Sequence, residues 1–129
     1  MTVMRAFLLT ALVAVVAGCA PSGPLTVTTI QVGRSLNSDD SISGLTTTFK
    51  PDETLYVSAL SIAPGSGTIT AKWRWSGRTV NEESKEVSYR DQAATEFHIQ
   101  NSSGFPVGDY SVEILVDGVS VGTRAFRVQ

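Results

Sequence analysis

The chain has 129 residues, a formal charge of −2 and a single cysteine, with 42% of its residues hydrophobic. That length suits one domain and leaves no room for a second. Lys and Arg are scattered through an acidic whole, which removes the electrostatic case for nucleic acid or anionic headgroups, and one cysteine cannot build a disulfide framework.

The first segment carries Arg5, an apolar run from Ala6 to Ala17 relieved only by Thr10, and then small residues up to Cys19. These are the parts of an export signal. The run is shorter than the ~20 apolar residues that cross a bilayer, and Ala20-Pro21-Ser22-Gly23-Pro24 prevents the helix from continuing. The tetrapeptide Val16-Ala17-Gly18-Cys19 resembles the lipobox of bacterial lipoproteins, with Val16 where leucine is commoner. The resemblance implies that residues 1–18 are removed as a signal peptide, and that Cys19 becomes the lipid-bearing first residue of the mature chain. Its palmitate-type acyl chains would each add about 0.8 kcal/mol per buried methylene, so anchoring is effectively permanent.

Several expectations follow from that resemblance. The protein belongs to the cell envelope, lipid-anchored. Ala20 is not the aspartate that resembles an inner-membrane retention signal, so the outer membrane is favoured where there is one, facing the periplasm or the outside. Loss of Arg5 takes the charge to −3. Once Cys19 is acylated, no thiol remains for a disulfide, a metal or nucleophilic catalysis. Residues 19–24 read as a lipidated tether, and residues 25–129 as the domain.

Within the domain, apolar residues recur at spacing two between Gly, Pro, Asn and Asp, the pattern of strands. In Leu25 to Val32 the alternation slips by one, which predicts a bulge. Arg34 to Ser43 is a polar loop, and Lys50-Pro51-Asp52-Glu53 is a turn leading into Thr54 to Ile62. There Leu55, Val57 and Ala59 face one way and Tyr56, Ser58 and Leu60 the other. After Pro64-Gly65-Ser66-Gly67, the residues Ile69, Ala71, Trp73 and Trp75 share one face. Val80 to Tyr89 has mixed charges and weak periodicity, as suits a protected edge strand. Thr95 to Gln100 places Phe97 and Ile99 inward. The last segment predicts a hairpin turning at Asp117-Gly118, with Val116 opposite Val119 and a bulge at Gly122.

Tyr110, in a Gly-x-Tyr context, resembles the tyrosine corner of immunoglobulin-like sandwiches, whose hydroxyl bonds to backbone just upstream. With Phe105-Pro106-Val107-Gly108 before it and Phe126-x-Val128 closing the chain, this segment is similar to the C-terminal hairpin of small bacterial immunoglobulin-like domains. The expected fold is an all-β, immunoglobulin-like antiparallel sandwich of about seven strands. Its interior draws on Leu55, Val57, Ile69, Ala71, Trp73, Phe97, Ile99, Tyr110, Val112, Ile114 and Phe126.

Candidates for chemistry are few. Trp73 and Trp75 either enter the core or form a binding platform with Tyr56 or Tyr89. His98 shares an outward face with Glu96 and Gln100, with no serine, cysteine or carboxylate dyad placed near it by spacing, and reads as a solvated surface histidine. Asn37-Ser38-Asp39-Asp40-Ser41 lacks the glycine and distal glutamate of a calcium loop, so no metal is expected. Asp52-Glu53 and Glu82-Glu83 are adjacent acidic pairs, which on a strand would point to opposite faces and so suit no acid–base pair; they read as solvation. No cofactor and no catalytic residue are expected, and an enzyme is the least supported reading. The leading expectation is a membrane-anchored, non-catalytic envelope lipoprotein that binds or stabilises another envelope protein. The alternatives are an accessory lipoprotein of a secretion or pilus machine, and an immunoglobulin-like protease inhibitor acting through the loop Arg34 to Ser43.

Overall fold

A computed structural model describes residues 23–129, so the signal segment and Cys19 lie outside the described residues. Eight strands follow in order: β1 (Val27–Gly33), β2 (Thr48–Phe49), β3 (Leu55–Ser61), β4 (Gly65–Trp75), β5 (Arg78–Tyr89), β6 (Ala93–Ile99), β7 (Gly108–Val116) and β8 (Val119–Val128). They form a three-stranded sheet, β1-β3-β6, packed on a five-stranded sheet, β2-β8-β7-β4-β5. The sequence predicts about seven strands. The eighth is the two-residue β2, which pairs parallel with the end of β8, Phe49 opposite Val128.

Alternation delivers the core. Leu55, Val57 and Ala59 of β3 and Phe97 of β6 face Ile69, Ala71 and Trp73 of β4 and Val112 and Ile114 of β7, all fully buried. An aromatic chain runs through the centre. Phe126 meets Trp73 edge-on at 6.0 Å and Phe49 edge-on at 5.3 Å, and stacks on Tyr110 at 5.5 Å. These offset and T-shaped geometries are the ones that ring quadrupoles favour.

The turns and bulges come where the sequence places them. The β7–β8 hairpin turns at Asp117 and Gly118, both at positive φ, and brings Val116 opposite Val119. Ile114 pairs with Gly122 but Leu115 with Ser120, leaving Val121 as the extra residue of a bulge. In β1 the register shifts between Val27 and Thr29.

The polar loop differs from a free excursion. It folds back over the outer face of β3, where Leu36 bridges Ile42, Ile42 is buried, and Ser58, also buried, donates its hydroxyl to the Asp40 carbonyl at 2.8 Å. Alternation alone would have left Ser58 facing solvent.

Two cations tie the sheets together at their sides. On one side, Lys85 of β5 lies over the Phe97 ring and donates to the Glu96 carbonyl at the edge of β6. On the other, Arg124 Nε of β8 donates to the Ile30 carbonyl of β1 at 3.1 Å. An inward-pointing charge on an edge strand also discourages pairing with foreign strands.

Gly23 and Pro24 belong to the folded part rather than to the tether. The Ser66 amide donates to the Gly23 carbonyl at 3.1 Å, and Pro24 bridges Ser66.

On the outer face of the five-stranded sheet, hydrogen bonds from Ser120 and Arg74 hold the Glu113 carboxyl below the usual glutamate range. A depressed folded pKa means that this contribution to stability is complete above the unfolded value, about 4.3, and is lost as pH falls through the folded one. Glu113→Gln is therefore expected to be less stable than wild type at pH 6 to 7. The gap should narrow as pH falls below about 4, read from urea midpoints at each pH. A gap unchanged at acid pH would contradict the assignment.

Candidate functional site

A cleft of about 300 Å³ opens at one end of the sandwich, lined by Trp75, Val80, Asn81, Ile99, Gln100, Asn101, Phe105, Pro106 and Tyr110. Four segments build it. Trp75 ends β4, and the tight turn Ser76-Gly77, both at positive φ, sends the chain back as β5. The register slips between Trp73 and Arg74, so Val80 is extra in β5 and stands half-exposed at the rim. Such a bulge re-aims side chains at the end of a strand. Ile99 closes β6, and the loop after it supplies Gln100, Asn101 and Phe105.

The floor is aromatic. Trp75 tilts against Tyr110 at 6.4 Å and Phe105 meets Tyr110 edge-on at 6.2 Å. Tyr110 is fixed from below, its hydroxyl donating to the Pro106 carbonyl at 2.6 Å, which is the corner geometry. Burial raises its pKa, so the hydroxyl stays a donor. Tyr110→Phe should cost about 1–1.5 kcal/mol, the net value of one such bond, measured by urea denaturation; a change below about 0.3 kcal/mol would show that the hydroxyl does not hold the corner.

The rim is made of amides. Gln100 Nε2 donates to Thr54 Oγ1 at 3.2 Å, and Asn101 Oδ1 accepts from the Ser103 amide at 3.0 Å. No lining residue carries a charge at neutral pH. An uncharged cleft with an aromatic floor and a few orienting amides suits ligand binding by stacking and hydrogen bonding. It offers no acid, base or activated nucleophile.

The proposed aromatic platform separates. Trp73 is fully buried in the core, and Trp75 alone reaches the cleft. Tyr56 sits on the outer face of the other sheet, 5.5 Å from the His98 ring. Tyr89 lies at the far end of β5, its hydroxyl 2.6 Å from Thr95 Oγ1. The reason is topological: Tyr56 belongs to the three-stranded sheet, and Tyr89 pairs with Gly65 at the other end of β4.

His98 meets Glu96, its neighbour on the outward face, with Nδ1 3.0 Å from Oε2. The loop Arg34 to Ser43 is tied down. Arg34 donates to Glu53 at 2.7 Å and to the Thr48 carbonyl at 3.0 Å. Asp39 spends its carboxylate on the amide and hydroxyl of Ser41, which hold its pKa down.

Asp39 and Ser41 also line a second hollow, of about 440 Å³, with Thr28, Thr29, Ser61 and Ala93. Its walls are hydroxyls and aliphatics with the Asp39 carboxylate and the Gln92 amide, and no aromatic surface to grip a ligand. The aromatic cleft is the better site although its volume is smaller.

Of the cleft residues, sequence reasoning offered Trp75 for binding and Tyr110 as a structural corner, but neither Phe105 as a lining residue nor the amides. The signal available for Asn81 was Ser76-Gly77, a two-residue hairpin turn that aligns β5 with β4.

The two packed sheets, the short parallel β2 against β8 and the tyrosine corner define an immunoglobulin-like β-sandwich. The chain is similar in structure to an immunoglobulin-like protein from Pseudomonas aeruginosa, with a TM-score of 0.58 at 11% identity over 84% of this chain and 98% of that one. At that identity the likeness concerns the fold. Parts of two larger proteins also resemble it. One is an alkylpurine DNA glycosylase from Pseudomonas fluorescens (TM-score 0.47, 15% identity, 78% of this chain and 30% of that one). The other is a β-glucosidase from Listeria innocua (TM-score 0.49, 14% identity, 78% and 16%). No protein-family model and no curated protein matches the sequence.

Proposed function

We propose that the protein is a lipid-anchored, non-catalytic envelope module that binds another envelope protein through the aromatic cleft. The observation that carries this reading is the position of the cleft. The described chain begins beside Ser66 at one end of β4, and Trp75 lies nine residues further along the same strand. At about 3.3 Å per residue this separates them by about 30 Å. With Cys19 only four residues before Gly23, the lipid holds the first pole near the membrane and leaves the cleft at the far one.

In support of a binding role, the cleft combines the partly buried Trp75, over the buried rings of Phe105 and Tyr110, with amide donors and acceptors, a composition suited to recognition. The test is photocrosslinking in cells. A benzophenone amino acid replacing Asn81 should give a discrete heavier species that Trp75→Ala abolishes. The same probe replacing Asp117, at the opposite pole, should give none. Equal products from both positions would refute a cleft-directed partner.

A further inference from the structure

The cleft has one wall that is a bare strand edge. In a constant-type immunoglobulin sandwich the sheet is four-stranded, with a D strand covering the strand that corresponds to β6. Here β5 joins the opposite sheet, and β6 is the edge of a three-stranded one. The Glu96 carbonyl receives Lys85 from outside the sheet, so it points away from β3. In an antiparallel ladder such outward-directed residues alternate. His98 and Gln100 therefore turn their backbone groups to the same open edge.

The seam between β5 and β6 is closed at one end and open at the other. Tyr89 meets Thr95 at 2.6 Å and Lys85 covers Glu96, which seals the half nearer the N-terminus. Beyond Lys85 the seam widens into the cleft, between Asn81 on one side and Ile99 to Asn101 on the other.

Resting on the binding role above, we propose that this open edge, at His98 and Gln100, takes up an extended segment of a partner protein as an added strand. One large uncharged side chain of that segment seats on Trp75, Phe105 and Tyr110. A peptide satisfies both features together: its backbone pairs with the free amides and carbonyls, and alternate side chains enter the cleft. The uncharged lining sets the character of the side chain, because a charge placed there would be desolvated without a partner. The chain's own tether is ruled out by reach. Residues 19–22 span at most about 14 Å, well short of the ~30 Å to the cleft.

The experiment uses the domain from residue 20 onward, which contains every core residue, and a displayed library of random twelve-residue peptides. Enriched peptides should alternate apolar and polar residues. They should bind Trp75→Ala at least tenfold more weakly, and slow hydrogen exchange at the His98 and Gln100 amides. N-methylation of alternate peptide amides should also weaken binding at least tenfold.

Gln100→Pro removes one donor from the open edge at a position that makes no ladder bond to β3, so the fold should persist while binding drops about tenfold. Binders that ignore Gln100→Pro and N-methylation would overturn strand addition and leave the cleft as a side-chain pocket. Absence of Trp75-dependent binders would overturn it too, while the crosslinking experiment still decides the binding role. Self-association abolished by Gln100→Pro would replace the partner by a second copy of this chain.

Discussion

Trp73→Ala should destabilise the domain by about 3–5 kcal/mol, the range for removing a fully buried tryptophan. For a domain whose whole stability is of order 5–15 kcal/mol, that brings folding to its margin. The indole has no exposed surface and packs edge-on against Phe126, so truncation opens a cavity at the centre of the aromatic chain rather than at its rim. Trp73→Phe should behave differently. The buried Nε1 has no hydrogen-bond partner, and an unpaired buried donor costs about 1–3 kcal/mol; phenylalanine removes that cost along with some volume. We expect a loss below about 1.5 kcal/mol, in the range of conservative core swaps. Trp75→Ala, at a partly buried position at the edge of the core, should cost less than Trp73→Ala. Urea denaturation of the three variants checks the order; equal losses at the two alanine variants would contradict the division of the tryptophans between core and cleft.

The second large effect is expected at Gly33. A Cβ there would lie 2.2 Å from the Gly44 carbonyl oxygen and 2.4 Å from Ile42 Cγ2, distances that only a backbone shift can relieve. Arg34 donates to that same carbonyl at 2.9 Å, so lifting the loop breaks the contact that seats it. Ile42 would then lose its cover, and Ser58 its acceptor at Asp40. Gly33→Ala should cost about 3 kcal/mol, at the upper end of overpacking penalties, with faster hydrogen exchange confined first to residues 34–46. A mutant of wild-type stability with an unchanged exchange pattern would show that the loop does not rest on β3.

How far the sequence carries can be traced residue by residue. Ile69 to Trp75 and Val112 to Val116 lie on inward faces because a strand buried on one side must alternate. Asp117-Gly118 marks its turn because a primed turn demands positive φ at both positions. Thr48 and Phe49 gave no such signal. Two residues pairing in parallel with a strand nearly 80 positions away leave no local period. Composition also misled at the loop, whose polar residues concealed the packing of Ile42 against the sheet.

The cleft was half legible for a related reason. Trp75 and Tyr110 stand out as aromatics on core-facing strands, yet Asn81, Gln100 and Asn101 are ordinary polar residues until topology brings the start of β5 and the end of β6 together. Tyr56 and Tyr89 were plausible partners for Trp75 only while the assignment of strands to sheets was open.

The proposed function depends above all on a lipid at Cys19, which would hold one pole at the membrane and turn the cleft outward. The direct measurement is intact mass and membrane partition of the full chain expressed in a bacterium, wild type against Cys19→Ala. The wild type should lose residues 1–18, gain the mass of its acyl chains and sediment with membranes, and the variant should be released or left unprocessed. An unmodified wild-type protein in the soluble fraction would contradict the anchor and, with it, the outward orientation of the cleft.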